Sequence, residues 1–262
     1  MSFRSLNPFL ASSAAFFVLL GADAPKDPPK LERPQLLFSQ PLGIALSESN
    51  RITVRGRFLT NATEVFLHWS NTSNVVPILS RGPAKSIDGV NADRIGDQTL
   101  ELAIAPTQSS IDGTNATLVV VSEGGRSLPY PLFLLPSQGC VNEKEPNSGF
   151  RESPALETSQ IIRGALESTG DVDVFQCEMR AGDRLHVEVF ADRLGSTLDG
   201  SLAVYDADGN LQITNDDTHG RDPLVQLVSP KIGRHYIALS SVNERAAPTH
   251  LYLLKIQIDK GP

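Results

Sequence analysis

The sequence predicts an all-β protein in which two β-sandwich domains follow an N-terminal signal peptide. Short stretches that alternate apolar and polar residues recur along the chain, turn-forming residues separate them, and helical periodicity is lacking. The first sandwich is predicted to be immunoglobulin-like and the second jelly-roll-like. The predicted boundaries are 1–24 for the signal peptide, 25–33 for a proline-rich linker, 34–136 for the first sandwich, 137–149 for an acidic linker and 150–262 for the second sandwich.

The first 24 residues have the features of an export signal. Arg4 precedes an apolar run from Phe9 to Leu20, and Ala22-Asp-Ala24 matches the small-residue pattern of a signal-peptidase site. Pro25 disfavours cleavage after Ala24, so cleavage after Ala22 is one alternative and an uncleaved membrane anchor is another. No later stretch is apolar over about 18 residues, so no stable transmembrane span is expected after cleavage. We therefore expect an exported protein, located in the periplasm, on the cell surface or in the medium.

About seven strands are predicted in residues 34–136, which is typical of an immunoglobulin-like sandwich. The stretches are Arg51–Phe58, Glu64–Trp69, Asn74–Leu79, Thr99–Ile104, Ala116–Val121 and Leu128–Leu135. Prolines within two of them place those strands at sheet edges or strand ends, because proline cannot donate to a ladder. Trp69 is the only tryptophan, and we predict that it lies in the core of this sandwich.

The second half resumes the strand pattern after a polar, turn-rich stretch from Pro136 to Gly149, where we place the domain boundary. About eight strands are expected there, which suggests a second sandwich of the jelly-roll type. The clearest stretches are Asp171–Met179, Arg184–Phe190, Ser201–Tyr205, Asn210–Thr214, Leu224–Val228, Arg234–Leu239 and Leu251–Ile258.

Composition argues against nucleic acid as a partner. The chain carries 23 Lys and Arg against 30 Asp and Glu, a net charge of −7. The acidic excess lies in residues 137–262, which hold 12 basic and 19 acidic residues. Phosphate binding requires a basic surface, whereas this asymmetry fits either cation binding or a solvated acidic face.

No catalytic residues are predicted. The five histidines form no close ligand pair, and the chain contains no G-x-S-x-G elbow, P-loop or dinucleotide-binding glycine pattern. A Ser-His-Asp triad can also be assembled from distant strands without a local motif. A hydrolase with such a dispersed triad therefore remains the least favoured alternative.

Two acidic clusters are candidates for a cation site. Glu143, Glu145 and Asn147 alternate along one segment, so in an extended chain their side chains would point the same way. Asp171 and Asp173 repeat this spacing before Phe175. Calcium takes six to eight oxygen ligands, so neither cluster suffices alone, but together they could supply a site if the linker folds back onto the strand. The alternative is a solvated linker beside a polar strand start.

The chain has two cysteines, Cys140 and Cys177, so a single disulfide is the one intramolecular pairing available. Because an exported protein meets an oxidising environment, we predict that they are bonded. Two unpaired thiols are the alternative.

Residues from about 140 to 258 resemble the bacterial pre-peptidase C-terminal domain family. The resemblance rests on six short segments that occur in the family's order over about 115 residues. They are Glu143-Lys-Glu-Pro-Asn147, Gly170-Asp-Val-Asp-Val-Phe175, Ala181-Gly-Asp-Arg-Leu185, Leu194-Gly-Ser-Thr-Leu-Asp199 with the strand ending in Tyr205-Asp-Ala-Asp-Gly209, Asn215-Asp-Asp217, and Pro230-Lys-Ile-Gly-Arg-His-Tyr236.

This resemblance implies a jelly-roll-like sandwich that accompanies exported proteins, with calcium held by Glu143, Glu145, Asn147, Asp171 and Asp173. The sequence departs from the family at Ser148, where an aspartate is frequent, and at Val174, where an aromatic residue is common. Residues 34–136 more faintly resemble the immunoglobulin-like modules that precede such domains in exported proteins of planctomycete-type bacteria. The segment Thr60–Phe66 carries that similarity.

Taken together, the sequence predicts an exported, non-catalytic binding or scaffolding protein whose partner is an extracellular protein or polysaccharide. A structural component of the cell envelope is the main alternative. The sequence leaves the ligand and the oligomeric state open.

Overall fold

The computed structural model describes residues 31–45, 47–105, 115–156 and 159–261. The predicted signal peptide and residues 25–30 of the predicted linker lie outside these ranges. Within them nearly all of the regular secondary structure is β-strand, as predicted, and the described residues include one single-turn helix and one 3₁₀ segment. None of the described helices has the length and apolar character needed to cross a bilayer.

The first sandwich is built from two sheets. In one, the order is β1-β3-β7-β6; in the other it is β2-β10-β8-β4-β5, with β9 added beside β8. This order corresponds to the ABED and CFG sheets of immunoglobulin-type sandwiches, extended by β2 and β5. The strands are β1 (Gln35–Gln40), β2 (Gly43–Ile44), β3 (Asn50–Arg57), β4 (Ala62–Trp69), β5 (Thr72–Val75), β6 (Ile78–Pro83), β7 (Gln98–Ile104), β8 (Asn115–Ser122), β9 (Gly125–Arg126) and β10 (Tyr130–Leu134), and helix α1 (Ala92–Ile95) precedes β7.

The second sandwich also has two sheets, ordered β11-β13-β20-β15-β18 and β12-β14-β19-β16-β17. Its strands are β11 (Cys140–Asn142), β12 (Ala155–Leu156), β13 (Gln160–Ala165), β14 (Val172–Met179), β15 (Arg184–Phe190), β16 (Gly200–Asp206), β17 (Leu211–Asn215), β18 (Leu224–Val228), β19 (Gly233–Ser241) and β20 (Leu251–Asp259). A 3₁₀ turn at Asp192–Leu194 follows β15.

Each sandwich encloses its own hydrophobic core. Alternation along the strands sends every second side chain inward, so Ile52 and Val54 of β3 lie beside Leu102 and Leu100 of the neighbouring strand β7 in the first core. Trp69 is 3% exposed and lies in that core, which confirms its predicted place. The second core includes Phe175, Leu202, Tyr252 and other buried residues from both sheets.

A third apolar cluster joins the two sandwiches. It combines Leu42 and Phe133 of the first sandwich with Leu194 and Leu253 of the second. Phe133 packs edge-on against Phe190, with ring centroids 4.8 Å apart. The Tyr130 hydroxyl donates a hydrogen bond of 2.5 Å to the carbonyl of Leu194. The chain from Leu31 onward therefore forms one compact unit rather than two separate domains.

The segment 137–149, expected to be an acidic linker, is instead part of the second sandwich from Cys140 onward. β11 pairs in parallel with β13, and the Glu143 amide donates to the Arg163 carbonyl at 2.9 Å. The Val174 amide then donates to the Asn147 carbonyl at 2.9 Å. The segment thus runs from the edge of one sheet to the edge of the other, and its backbone is hydrogen-bonded to a strand of each sheet.

The predicted disulfide is not formed, and both cysteines are free thiols. Cys177 projects into the core of the second sandwich from β14, whereas Cys140 packs against the cluster that joins the two sandwiches. The two side chains therefore belong to different packed clusters. Burial raises the pKa of both thiols, that of Cys177 to about 11.

Candidate metal centre

Three carboxylates converge where the 143–147 segment crosses β14. One oxygen from each of Glu143, Glu145 and Asp173 lies within 4.8 Å of the others. β11 positions Glu143 by pairing with β13, and β14 positions Asp173 on its inward face. Glu145 is exposed, Glu143 is partly buried and Asp173 is fully buried, so the group passes from solvent into the protein.

Tyr252 of β20 closes the buried side of this carboxylate group. Its hydroxyl oxygen lies 2.5 Å from Glu143 Oε2 and 2.6 Å from Asp173 Oδ2. A tyrosine hydroxyl has one proton to donate, so both short contacts are hydrogen bonds only when one carboxyl group is protonated. A bound cation would instead offset the repulsion between the carboxylate oxygens. Glu143 Oε1 also accepts a 2.6 Å hydrogen bond from the Ala165 amide.

The electrostatics of the group show that negative charge is unfavourable there without a counter-charge. Burial, followed by the nearby charge of Glu143, raises the pKa of Asp173 to about 9. Burial and the two carboxylates likewise raise the pKa of Tyr252 well above its ordinary value. Asp173 Oδ1 has no hydrogen-bond partner among the described residues.

Asn147 adds an amide that lacks partners. Its side chain is fully buried, and neither Oδ1 nor Nδ2 has a partner in the described part of the chain. Leaving a buried polar atom unpaired costs roughly 1–3 kcal/mol. The backbone N–H of Asn147 donates a hydrogen bond to Glu145 Oε2 at 3.0 Å, which places this residue beside the carboxylates.

The residues present fit a hard cation such as calcium. The donors are carboxylate and amide oxygens, which calcium prefers, and the unpaired oxygens of Asp173 and Asn147 are free to act as ligands. Glu143 and Tyr252 also line a cleft of about 420 Å³, together with Gln40 and Arg163, through which solvent reaches the group.

Asp171, the remaining predicted ligand, is not in this group. It precedes the first residue of β14, and its carboxylate accepts a 2.8 Å hydrogen bond from the Glu167 amide. Its side chain therefore closes the Glu167–Asp171 turn. Tyr252 was not predicted as part of the site, because in the sequence it reads as an ordinary core residue of a strand.

Gly164 makes the approach of Tyr252 to Glu143 possible. A Cβ added at Gly164 would lie 2.3 Å from the Tyr252 hydroxyl and 2.5 Å from Glu143 Oε2. Any other residue at this position of β13 would displace one of the two side chains.

Two of the five histidines lie close together, because the Nε2 atoms of His186 and His219 are 3.9 and 3.8 Å from the carboxylate of Glu188, whereas the other three lie elsewhere. His186 contacts Gln226 in one sheet, His68 stacks on Phe66 in the first sandwich, and His235 Nε2 lies 3.5 Å from Ser229 Oγ. The other ring nitrogen of His235 faces the Gly233 carbonyl rather than a carboxylate. Among the described residues, no Ser-His-Asp hydrogen-bonded triad is formed.

Comparison with known proteins finds one curated relative and several solved structures. A probable subtilase-type serine protease of Deinococcus radiodurans is 27% identical over 137 residues. The aligned region covers 46% of this chain and 19% of that protein. No family model matches the sequence.

One similar solved structure is the pre-peptidase C-terminal domain of a collagenase from Bacillus anthracis. It is 13% identical with a TM-score of 0.34, and the alignment covers 44% of this chain and all of that domain. Another is SGBP-B of the Bacteroides ovatus mixed-linkage glucan utilization locus, in complex with a mixed-linkage heptasaccharide. It is 10% identical with a TM-score of 0.25, and the alignment covers 86% of this chain and 75% of that one. This chain spans about a fifth of the curated relative it matches.

Proposed function

We propose that this chain is an exported, non-catalytic binding or scaffolding protein that engages an extracellular protein or polysaccharide. In this proposal a calcium ion bound by Glu143, Glu145, Asn147 and Asp173 holds the segment 137–149 against the second sandwich. The observation that carries the calcium site is the group of three carboxylates beside a buried, unpartnered amide.

The role of the ion would be structural. It would neutralise carboxylates that are otherwise buried without a counter-charge, and it would fix the crossing from β11 to β14. The ligand oxygens come from two parts of the chain, so binding would order the start of the second sandwich as a whole.

Two further observations support the wider proposal. The six motifs in residues 143–236 and the similarity to a subtilase-type protease together support a pre-peptidase C-terminal domain for residues 150–262. The predicted signal peptide in residues 1–24 supports export.

Thermal unfolding with calcium and with EDTA tests the proposal. Calcium at about 100 times its dissociation constant should stabilise the protein by roughly 2.7 kcal/mol, which is a rise of roughly 5–10 °C in the unfolding midpoint. Glu145→Gln and Asp173→Asn should each abolish most of that rise. The calcium-induced shift is the informative quantity, because Asp173→Asn also removes a buried carboxylate and changes the metal-free stability.

Glu178→Gln is the matched control, since Glu178 is an exposed carboxylate of the same strand as Asp173. It should leave the calcium-induced shift unchanged. A wild-type midpoint that does not differ between calcium and EDTA would contradict the metal site.

A further inference from the structure

A cleft of about 450 Å³ lies between the two sandwiches, on residues separate from the candidate metal centre. The first sandwich contributes Asn91 and Arg94 to its wall, and the second contributes Thr197, Arg221, Arg245 and His250. The cleft therefore exists only because the two sandwiches pack together. Its volume falls in the range of small-ligand sites, roughly 300–1,000 Å³.

The wall of this cleft is positively charged although the protein is acidic. Three arginines and one aspartate, Asp199, line it, whereas the whole chain has a net charge of −7. Charges of one sign in a concave site focus the field and raise the local concentration of oppositely charged ligands. The lining therefore suits an anionic ligand better than a cationic one, although Arg94 pairs with Asp192 and Arg221 lies near Asp199.

The three arginines differ in how firmly they are engaged. Arg94 is fixed by Asp192 at 2.7 Å and by the Ser196 carbonyl at 3.3 Å. Arg221 lies 3.7 Å from Asp199. No carboxylate in the described part of the chain lies within 4.0 Å of Arg245, which is exposed and lines the cleft. Its guanidinium is available to a ligand.

His250 supplies a second, independent sign of a ligand site. It is 8% exposed, and its Nδ1 has no hydrogen-bond partner among the described residues. Burial lowers the pKa of His250, a hydrogen bond to the Arg245 backbone opposes this shift, and the charge of Arg94 adds to it. The net shift favours the uncharged imidazole, which can form a hydrogen bond to a ligand without adding charge.

The rest of the wall fits a hydroxyl-rich ligand. Asn91, Asn243, Thr169, Thr197 and Ser241 contribute amides and hydroxyls beside the small apolar residues Val90, Ala246 and Ala247, and among the described residues no Phe, Tyr or Trp side chain lines the cleft. Peptide sites usually offer apolar side-chain pockets, aromatic grooves or a free sheet edge. An array of small polar groups around arginines instead matches sugar hydroxyls around a carboxylate.

We propose that the cleft between the sandwiches binds a short acidic saccharide, with the sugar carboxylate held by Arg245 and Arg221. Arginine suits this role because its planar fork can bind a carboxylate through two parallel hydrogen bonds. The inference rests on the proposed binding function and names a ligand class for it, at a site distinct from the metal centre.

Calorimetric titration of the full chain with trigalacturonate tests the assignment, with neutral galactotriose as the uncharged counterpart. EDTA is present throughout, so that calcium cannot bridge the uronate to the acidic cluster. Trigalacturonate should bind, galactotriose should bind at least about tenfold more weakly, and added salt should weaken the uronate binding.

Variants locate the binding. Arg245→Gln should weaken trigalacturonate binding at least about tenfold, since it removes a charged hydrogen-bond donor. Arg234→Gln is the matched control, because Arg234 is an exposed arginine of β19 that does not line the cleft, and it should leave affinity unchanged. Arg245→Lys should give an intermediate affinity, since it keeps the charge but loses the planar fork.

Equal binding of the neutral and acidic sugars, or equal affinity of Arg245→Gln and the wild type, would overturn the proposal. Tighter binding of a triglutamate peptide or of a sulfated trisaccharide would overturn the carboxylated-saccharide assignment. Because EDTA is present, these outcomes are independent of the calcium-dependent unfolding that tests the metal site.

Discussion

Asp183 illustrates how one residue can stabilise a turn through its charge. It is 2% exposed, and its carboxylate accepts hydrogen bonds of 2.9 Å from the amides of Arg180 and Gly261. Lys260 Nζ lies 3.2 Å away. These hydrogen bonds, with that of Arg180 contributing most, lower the pKa of Asp183 to about 2.

Because its pKa is lowered in the folded state, the contribution of Asp183 to folding stability depends on pH. The ordinary value is about 3.9, so the ionised carboxylate stabilises the fold above pH 4, and this contribution is lost as the pH falls towards 2. We expect Asp183→Asn to be less stable than the wild type at pH 7. The difference should shrink between pH 4 and pH 2, as measured by urea unfolding at each pH.

Asp208→Asn is the control for this prediction, because Asp208 lies in an exposed turn and its side chain is 73% exposed. Its stability relative to the wild type should change little over the same pH range. A difference between Asp183→Asn and the wild type that stayed constant down to pH 2 would contradict the role given to the ionised carboxylate.

The candidate metal centre shows how far residue spacing can predict a site. Alternation correctly suggested that Glu143 and Glu145 would point the same way, and the structure brings them to Asp173. Asp171 did not follow, because it precedes β14 and its carboxylate accepts a hydrogen bond from the Glu167 amide in the turn before that strand. Tyr252 comes from a strand more than 75 residues away from Asp173, so no local pattern could have placed it there.

At the scale of elements, alternation predicted strands best where one face is buried and the other is exposed. β13 was not predicted, and the packing of its two isoleucines explains why. Ile162 points into the second core and Ile161 into the cluster between the sandwiches, so both faces are apolar and no period of two appears. The predicted strand Asn74–Leu79 is instead two strands, β5 and β6, because the chain passes from one sheet to the other at Val76 and Pro77.

The contact between the 3₁₀ turn and the first sandwich depends on Gly195. Its φ is +86°, and an added Cβ would lie 2.4 Å from the Tyr130 hydroxyl and 2.5 Å from the Leu37 carbonyl. Gly195→Ala should therefore lower the free energy of unfolding in two ways. The left-handed backbone costs about 1–2 kcal/mol, and the overlap costs roughly a further 1–3 kcal/mol.

Gly170→Ala separates the two costs. Gly170 has a φ of +76° and no heavy atom within 4 Å of an added Cβ, so only the backbone cost applies. Denaturant unfolding of both variants should show the larger loss for Gly195→Ala. Equal losses would mean that the close approach of Gly195 to Tyr130 contributes nothing to stability.

At the scale of the whole molecule, two charge features lie in different places. The acidic excess of the second half supplies the candidate metal centre, whereas three arginines, Arg94, Arg221 and Arg245, line the cleft between the sandwiches. Counting charged residues along the sequence detected the acidic excess, because it is local in the chain. It missed the second, because Arg94 and Arg245 are 151 positions apart and only the packing of the sandwiches brings them to one cleft.

The same packing predicts that the two sandwiches unfold together. Trp69, the only tryptophan, lies in the first core, so its fluorescence reports the unfolding of the first sandwich alone. Leu202 is fully buried in the second core, and Leu202→Ala should cost about 2–5 kcal/mol there. If the apolar cluster and the bond from Tyr130 to Leu194 couple the two cores, Leu202→Ala will also lower the midpoint of the Trp69 transition.

Leu211→Ala is the control for this coupling, because Leu211 lies in the same sandwich as Leu202 but is 54% exposed. This substitution should leave the midpoint of the Trp69 transition unchanged. Circular dichroism of the wild type, which reports both sandwiches, should give the same midpoint as the tryptophan signal. A Trp69 transition that Leu202→Ala leaves unchanged would show that the first sandwich folds independently. The cleft between them would then depend on a contact too weak to join the two cores into one cooperative unit.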